Sequence, residues 1–430
     1  MTKKKHLAVG AALATGSLLG YSGYLRPISA FANSTCEVGS ATPVADLQNC
    51  ISNAAAGDTV TFADDVQDFT ISAEFTIDKS LIIDGAVGSS RIEIDAQKNS
   101  RVFNSTEDLA LRNIKLTGGS RTYVDGIDTS KYGGAVSTAK NLELDNVGIS
   151  DSYASYAGGA ASAYQITVRG DSEFSYNSAN FGGALYATDE VKIYAGALFY
   201  QNVADNIENY YFSSGGAIES PAVSVYGTQD SPVIFSENYA YTFGGAIQSY
   251  GVGAEIYIAN TVFQYNAVLD GTGGAIYSDG EATIRRSDFS YNYTYQFSGS
   301  AVYVTDENLT LDSSILRSND AGFDGAIDAK GAVYIIGSHT TAYVYNSTFY
   351  LNYSSGGSAA IYSDGHIDAD FITLLLNDSA PGYGAIQGAS VDIANSIILG
   401  SNSDSVYIDV KASASIDRLE SIARSDSSSI

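Results

Sequence analysis

Residues Gly273 to Asn292 read GGAIYSDGEATIRRSDFSYN, and the order of features in this stretch recurs along the chain from about residue 133 to residue 402. A Gly-Gly-Ala-aliphatic opening leads to a turn, then an alternating run, then Phe-x-x-Asn. A fixed unit of this size means stacked supersecondary units, each burying its apolar face against the next, rather than one globular core.

The opening alanine falls at Ala135, Ala160, Ala184, Ala217, Ala246, Ala275, Ala301, Ala326, Ala360 and Ala385. The next residue is apolar at Val136, Ala161, Leu185, Ile218, Ile247, Ile276, Val302, Ile327, Ile361 and Ile386. The one after is polar or Tyr, at Ser137, Ser162, Tyr186, Glu219, Gln248, Tyr277, Tyr303, Asp328, Tyr362 and Gln387. Period-two alternation is the mark of a short strand with one face in and one face out. A second strand carries apolar pairs such as Leu142/Leu144, Val223/Val225 and Val391/Ile393. A third brings Phe174, Phe199, Phe235, Phe263, Phe289, Leu316, Phe349, Leu374 and Leu399. Three residues beyond each stands Asn177, Asn202, Asn238, Asn266, Asn292, Asn319, Asn352, Asn377 and Asn402.

The minimal unit has room for three short strands and three corners. A crossover helix would need a unit of about 30 residues or more. The economical fold is all-β: a single-stranded right-handed parallel β-helix, a solenoid of coils ~4.8 Å apart. Equivalent side chains then lie above one another. The phenylalanines become an internal stack and the asparagines a ladder of amides bonded between coils. The glycines suit a corner that requires positive φ or close backbone approach.

Before the repeats, residues 1–32 have the layout of a secretory signal peptide. Lys3-Lys4-Lys5 opens it, Leu7 to Gly20 is a short apolar run, and Ala30-Phe31-Ala32 offers a cleavage site. The alternative is an uncleaved anchor, against which Arg26 stands in the would-be extension. Residues 33–57 read as an N-terminal cap. Leu47, Cys50, Ile51 and Ala54 share one face of a helix that stops at Gly57. Cys36 and Cys50 read as one disulfide in an exported chain, with two free thiols as the alternative. The β-helix is expected over 58–410, with early strands at Thr59–Phe62, Phe75–Ile77, Leu81–Ile83, Ile92–Ile94 and Leu109–Leu116. Residues 411–430 lose the pattern and read as a C-terminal tail.

The net charge is −26, and removal of residues 1–32 takes away basic residues only. Nucleic acid is therefore not an expected partner, and the mature chain shows no apolar membrane span.

The paired motifs Gly-Gly-Ala-aliphatic and Phe-x-x-Asn resemble the repeats of chlamydial polymorphic outer-membrane proteins. More widely, they resemble secreted right-handed β-helix proteins of the pectin-lyase-like superfamily. The segment from Cys36 through Leu47 to Cys50, with Thr59–Phe62, Leu81–Gly85, Ile92–Asp95 and Ile114–Gly119, looks like the N-terminal part of such proteins. The resemblance implies adhesion at a secreted, cell-surface or outer-membrane location. Members of the chlamydial family end in an autotransporter barrel. Residues 411–430 show no amphipathic barrel strands, so surface attachment is expected to be non-covalent or through something absent from this chain.

The same fold carries polysaccharide lyases and hydrolases, which need clustered carboxylates and a base. Asp64-Asp65 is the adjacent aspartate pair and lies near the cap, while Arg285-Arg286 is the basic pair. Both read as strand-end or solvent-facing positions. His366 beside Asp364 reads as a turn residue, because Ser278-Asp279-Gly280 occupies the same place in another unit. His339 falls in a loop. No catalytic set, metal-ligand spacing or cofactor motif emerges.

Contact residues are instead expected on inserts at 119–132, 203–214 and 328–341, the first two at the corner just before Gly-Gly-Ala. The candidates are Arg121, Tyr123 and Asp125 in the first, with Tyr210, Tyr211 and Phe212 in the second. Their expected partner is a protein or glycan of a host or neighbouring cell surface. Insertions tolerated at a surface corner of a purely structural surface rod are the alternative.

Overall fold

The computed structural model describes residues 35–121, 132–205, 212–251, 254–322, 329–399, 408–410 and 415–420. The expected signal peptide lies outside these residues, as do Tyr123, Asp125, Tyr210 and Tyr211.

The chain is a parallel β-helix. Among the described residues, thirty-seven strands join in one sheet and nine two-residue strands form a second. Each coil pairs with the next in register. In the first row Ile247 pairs with Ile276 and Ile276 with Val302. In the second Val225 pairs with Ile258 and Ile258 with Ile284. In the third Phe235 pairs with Phe263 and Phe263 with Phe289. The three expected rows are joined by a fourth, which runs from Ser120–Arg121 to Tyr353–Ser354. Strands of two residues leave too little alternation to be seen in a sequence.

The core is the column inside the coils. Phe174, Phe199, Phe235, Phe263 and Phe289 are fully buried. Their rings stack at 4.9, 4.7, 4.9 and 4.7 Å, with interplanar angles of 13° or less. Isolated aromatic pairs favour offset or edge-on geometry. Here the coil spacing imposes face-to-face stacking, and the gain comes from burying the rings.

Beside the stack runs a closed amide ladder. Asn266 Nδ2 donates to Phe235 O and to Asn292 Oδ1. Asn266 Oδ1 accepts from the Asn238 backbone N–H and from Asn238 Nδ2. The same pattern links Asn177, Asn202, Asn238, Asn266, Asn292, Asn319, Asn352 and Asn377. Each internal rung thus uses both amide hydrogens and both oxygen lone pairs, as burial demands. The residue before each rung, such as Tyr176, Tyr265 or Tyr291, turns the corner at positive φ.

The glycine pair has two separate causes. Gly273 takes φ +73°, and a Cβ on Gly274 would lie 2.1 Å from Ser300 O of the next coil. One glycine turns the chain and the other lets neighbouring backbones meet.

At the N-terminal end, the helix Pro43–Asn53 buries Leu47, Cys50 and Ile51. It packs against the strands Thr35–Val38, Thr59–Phe62, Phe69–Thr70 and Phe75–Ile77. Cys36 and Cys50 are joined by a disulfide with Cα atoms 5.5 Å apart. The helix covers apolar side chains that would otherwise face water at the open end of the first coil.

Several expectations are corrected. The eighth opening is Ala332-Val333-Tyr334, not Ala326-Ile327-Asp328: Val302 pairs with Val333, and Val333 with Ile361. Gly331-Ala332-Val333-Tyr334 fits the motif as well, and the sheet selects it because Tyr334 then falls between Tyr303 and Tyr362. The segment 328–341 is therefore not one insert, since it holds the strand Val333–Ile336. Ile398, not Leu399, continues the third row, because it pairs with Leu374. Asn402 lies outside the described residues. The run Leu109–Leu116 is two strands, broken at Asn113, whose φ is +47°. Strand Ser415–Glu420 pairs with Ile386–Leu399, so sheet pairing reaches into the segment read as tail. His366 is not a turn residue; it lies within the strand Ile361–Asp370.

Candidate binding face

The longest inserts stand at the corner before Gly-Gly-Ala, while a shorter loop, 227–232, joins a second-row to a third-row strand. Ser120–Arg121, Val203–Ala204 and Asp320–Ala321 occupy one row, and an insert follows each before the next first-row strand. Bridges from Tyr132 to Ala157, Phe181 and Ser214 place the first two inserts three coils apart. That is ~15 Å along the axis. The root of the first is braced from below by Arg101, which sequence reasoning missed. Its Nε donates to Gly133 O at 2.8 Å and its Nη2 to Tyr132 O at 2.7 Å. Nη1 lies 3.5 Å from Glu74 Oε2. Burial lowers the Arg101 pKa to about 10, with Glu74 opposing.

Arg121 is half-exposed at the start of the fourth row. Phe212 is 60% exposed, and its ring lies parallel to Phe243 at 6.4 Å. From there an aromatic stripe runs along the outer face of the first row. Phe243 packs on Tyr277 at 4.6 Å. Tyr277, Tyr303, Tyr334 and Tyr362 then stack in succession at 5.3, 5.0 and 4.7 Å, within 10° of parallel. Lys330 Nζ lies 4.4 Å from the Tyr362 ring centre. In the other direction, Tyr132 meets Tyr156 at 5.1 Å and Tyr186 at 5.9 Å, and Tyr156 meets Phe181 at 5.0 Å. All these residues except Phe212 are half-buried, with one side on the sheet and one toward solvent.

Between Tyr277 and Tyr186 the first row carries Gln248 and, one coil earlier, Glu219. Glu219 is only 6% exposed and accepts a hydrogen bond from Ser214 Oγ. Burial pushes its carboxyl up to about 8, against the Ser214 bond. Nearby, the Tyr186 and Tyr250 hydroxyls are 3.2 Å apart. Burial also raises Tyr303 to about 12, and raises Tyr362 to about 12 with help from Asp364. The rings are therefore neutral at physiological pH. The face offers flat apolar surfaces edged with hydroxyls and carboxylates.

Other singled-out residues do not converge on this face. Asp64 Oδ1 accepts from the Gly88 N–H, and Asp65 Oδ2 from Ser40 Oγ. Arg286 Nε donates to Asn260 Oδ1. His366 Nδ1 lies 2.8 Å from Ser390 Oγ, and Nε2 is 3.7 Å from Asp392 Oδ2. Ser390 is the coil partner of His366, so that contact follows from stacking. His339 sits in a turn. No grouping of His, Cys, Asp or Glu suited to a metal ion occurs among the described residues.

The family described as the Chlamydia polymorphic membrane protein repeat matches residues 171–188 and 232–250. Each match runs from a third-row strand through a ladder asparagine to a glycine pair: Phe174, Asn177 and Gly182-Gly183, then Phe235, Asn238 and Gly244-Gly245. At these two places the chain carries the polymorphic membrane protein repeat. Comparison with curated proteins and with solved structures gives no match. Proteins of the polymorphic membrane protein family are surface or outer-membrane associated. Among the described residues no helix is long and apolar enough to cross a membrane. In this chain the matched repeat motifs are the packing elements, and the stripe lies between them on the outside of the coils.

Sequence reasoning found Phe212 and the outward Tyr277, Tyr303 and Tyr362. It missed Tyr334 through the register error. It also missed Tyr132, Phe181 and Phe243, whose signal was available: each stands immediately before a Gly-Gly pair.

Proposed function

We propose that this chain is a surface binding rod, an adhesin that contacts a glycan or protein of a neighbouring cell through the aromatic stripe and its insert corner. The observation that carries this reading is the run from Phe212 to Tyr362, in which each ring touches the next along one face. Packing alone would be met by aliphatic β-formers at these outward positions. Tyr supplies rigid contact area with a hydrogen-bonding edge, the combination enriched at recognition surfaces. Secretion or peripheral surface attachment is the location that suits this role.

The test is a glycan-array and matrix-protein screen with the mature chain, followed by titration of any hit against Tyr303→Ala/Tyr334→Ala. The reading expects a saturable ligand whose affinity falls at least ~10-fold in the double variant, the loss of about 1.4 kcal/mol or more. A ligand held equally well by both proteins removes the stripe from the contact. A screen with no saturable ligand leaves a structural rod.

A further inference from the structure

A second concave site lies on the outer face of the second row, apart from the stripe. Its cause is two small residues. Glu190, Ala222 and Glu255 are successive register partners, so Ala222 leaves a one-coil gap between two carboxylates. Tyr226, Ala259 and Arg285 are successive partners at the other edge of the row. There the methyl of Ala259 leaves room for the Tyr226 ring to lean on Tyr257, at 5.3 Å and 35°. Ser224 and Tyr257 lie between the two edges. All of these side chains except Ala259 line a hollow of about 540 Å³, within the range of small-ligand sites.

The chemistry of the lining selects an occupant. Glu190 is matched by Lys192, which donates to its Oε2, while Ser224 Oγ stands 3.4 Å from its Oε1. Glu255 and Arg285 bring one charge of each sign to the same hollow. The lining itself is balanced, while Glu281 and Asp312, the next-coil partners of Glu255 and Arg285, add negative charge beside it. An anionic ligand is therefore disfavoured. A neutral ligand with many hydroxyls fits better, because carboxylates accept, guanidinium donates, and serine does both. The tilted Tyr226–Tyr257 pair adds a flat apolar wall, 38% exposed at Tyr226, that suits the C–H face of a sugar ring.

We propose that this notch binds one or two units of a neutral pyranose saccharide. The site lies on a different row from the stripe and does not rest on the adhesive reading of it.

The experiment is saturation-transfer NMR and calorimetry on the mature chain with lactose, cellobiose and diacetylchitobiose, and with digalacturonate as the anionic comparison. Ala222→Tyr would fill the gap from the solvent side without entering the core, and Tyr257→Ala would remove half of the wall. At least one neutral disaccharide should bind wild type. Binding should vanish in Ala222→Tyr, drop ~10-fold in Tyr257→Ala, and persist in Tyr303→Ala/Tyr334→Ala. Unchanged circular dichroism certifies the fold of each variant. The proposal is overturned if no neutral disaccharide binds, if digalacturonate alone binds, or if binding survives Ala222→Tyr in the folded protein.

Discussion

Asn266 shows how much one side chain can hold in a stacked fold. Replacing it with Ala removes four hydrogen bonds shared with Asn238, Phe235 and Asn292. The Asn238 N–H and the Phe235 carbonyl are left buried without these partners, at about 1–3 kcal/mol for each stranded group. Phe263→Ala empties one position of the ring stack, at about 3–5 kcal/mol. Denaturant unfolding of both variants should show losses of this size, and a near-neutral Asn266→Ala would contradict the closed ladder. Glu219 makes the opposite prediction, in pH. Its folded pKa, about 8, lies above the ordinary 4.5. The folded state therefore holds the proton more tightly than the unfolded chain. Stability is unpenalised below the unfolded pKa and falls as pH rises through the window, by about 1.4 kcal/mol per unit, levelling off above the folded pKa. Glu219→Gln should match wild type near pH 4, exceed it increasingly up to about pH 8, and hold that advantage above it. A pH-independent difference between the two would refute the buried acid.

At the scale of the coil, the sequence was legible wherever a position is repeated and buried. The second-row pairs and the third-row phenylalanines stood at their true register, because inward side chains face an identical neighbour one coil away and tolerate little change. The misread positions lie where that pressure is weak. Asp324-Gly325-Ala326 imitates an opening, and only the pairing of Tyr334 with Tyr303 and Tyr362 decides for Ala332. Leu399 and Ile398 are equally apolar, and the missing Phe removed the marker. The two-residue fourth row has no period to detect. The candidate face was half legible. Outward tyrosines were visible one at a time, but their continuity is a product of register, and Glu219 looked like any polar outward residue. The cap can be tested at this scale as well. Reducing Cys36–Cys50 reopens a short loop worth roughly 3 kcal/mol in the chain-entropy account. Because each coil contacts only its neighbours, hydrogen exchange should speed up in the first coils while Phe235 to Phe289 keep their protection. Uniform loss of protection along the chain would contradict this local coupling.

On the scale of the whole molecule, the fold separates two jobs. The repeat motif faces inward and fixes the packing of each coil on the next. The outer face of the same strands is left to vary, and there the rings, Glu219 and the insert corner gather along one side. The strong negative charge keeps such a β-rich surface dispersed and leaves recognition to local chemistry. This division of labour is the central claim, and it is tested by comparing Tyr303→Ala/Tyr334→Ala with Asn266→Ala, each measured for thermal melting and for binding to the ligand found by screening. The double variant removes three ring contacts, Tyr277–Tyr303, Tyr303–Tyr334 and Tyr334–Tyr362, each worth about 0.5–1.5 kcal/mol beyond its area. The stripe variant should therefore melt below wild type, remain folded, and bind at least ~10-fold more weakly. The ladder variant should also melt below wild type and, while still folded, bind as wild type does. A stripe variant with full binding, or a folded ladder variant that has lost it, would contradict the account.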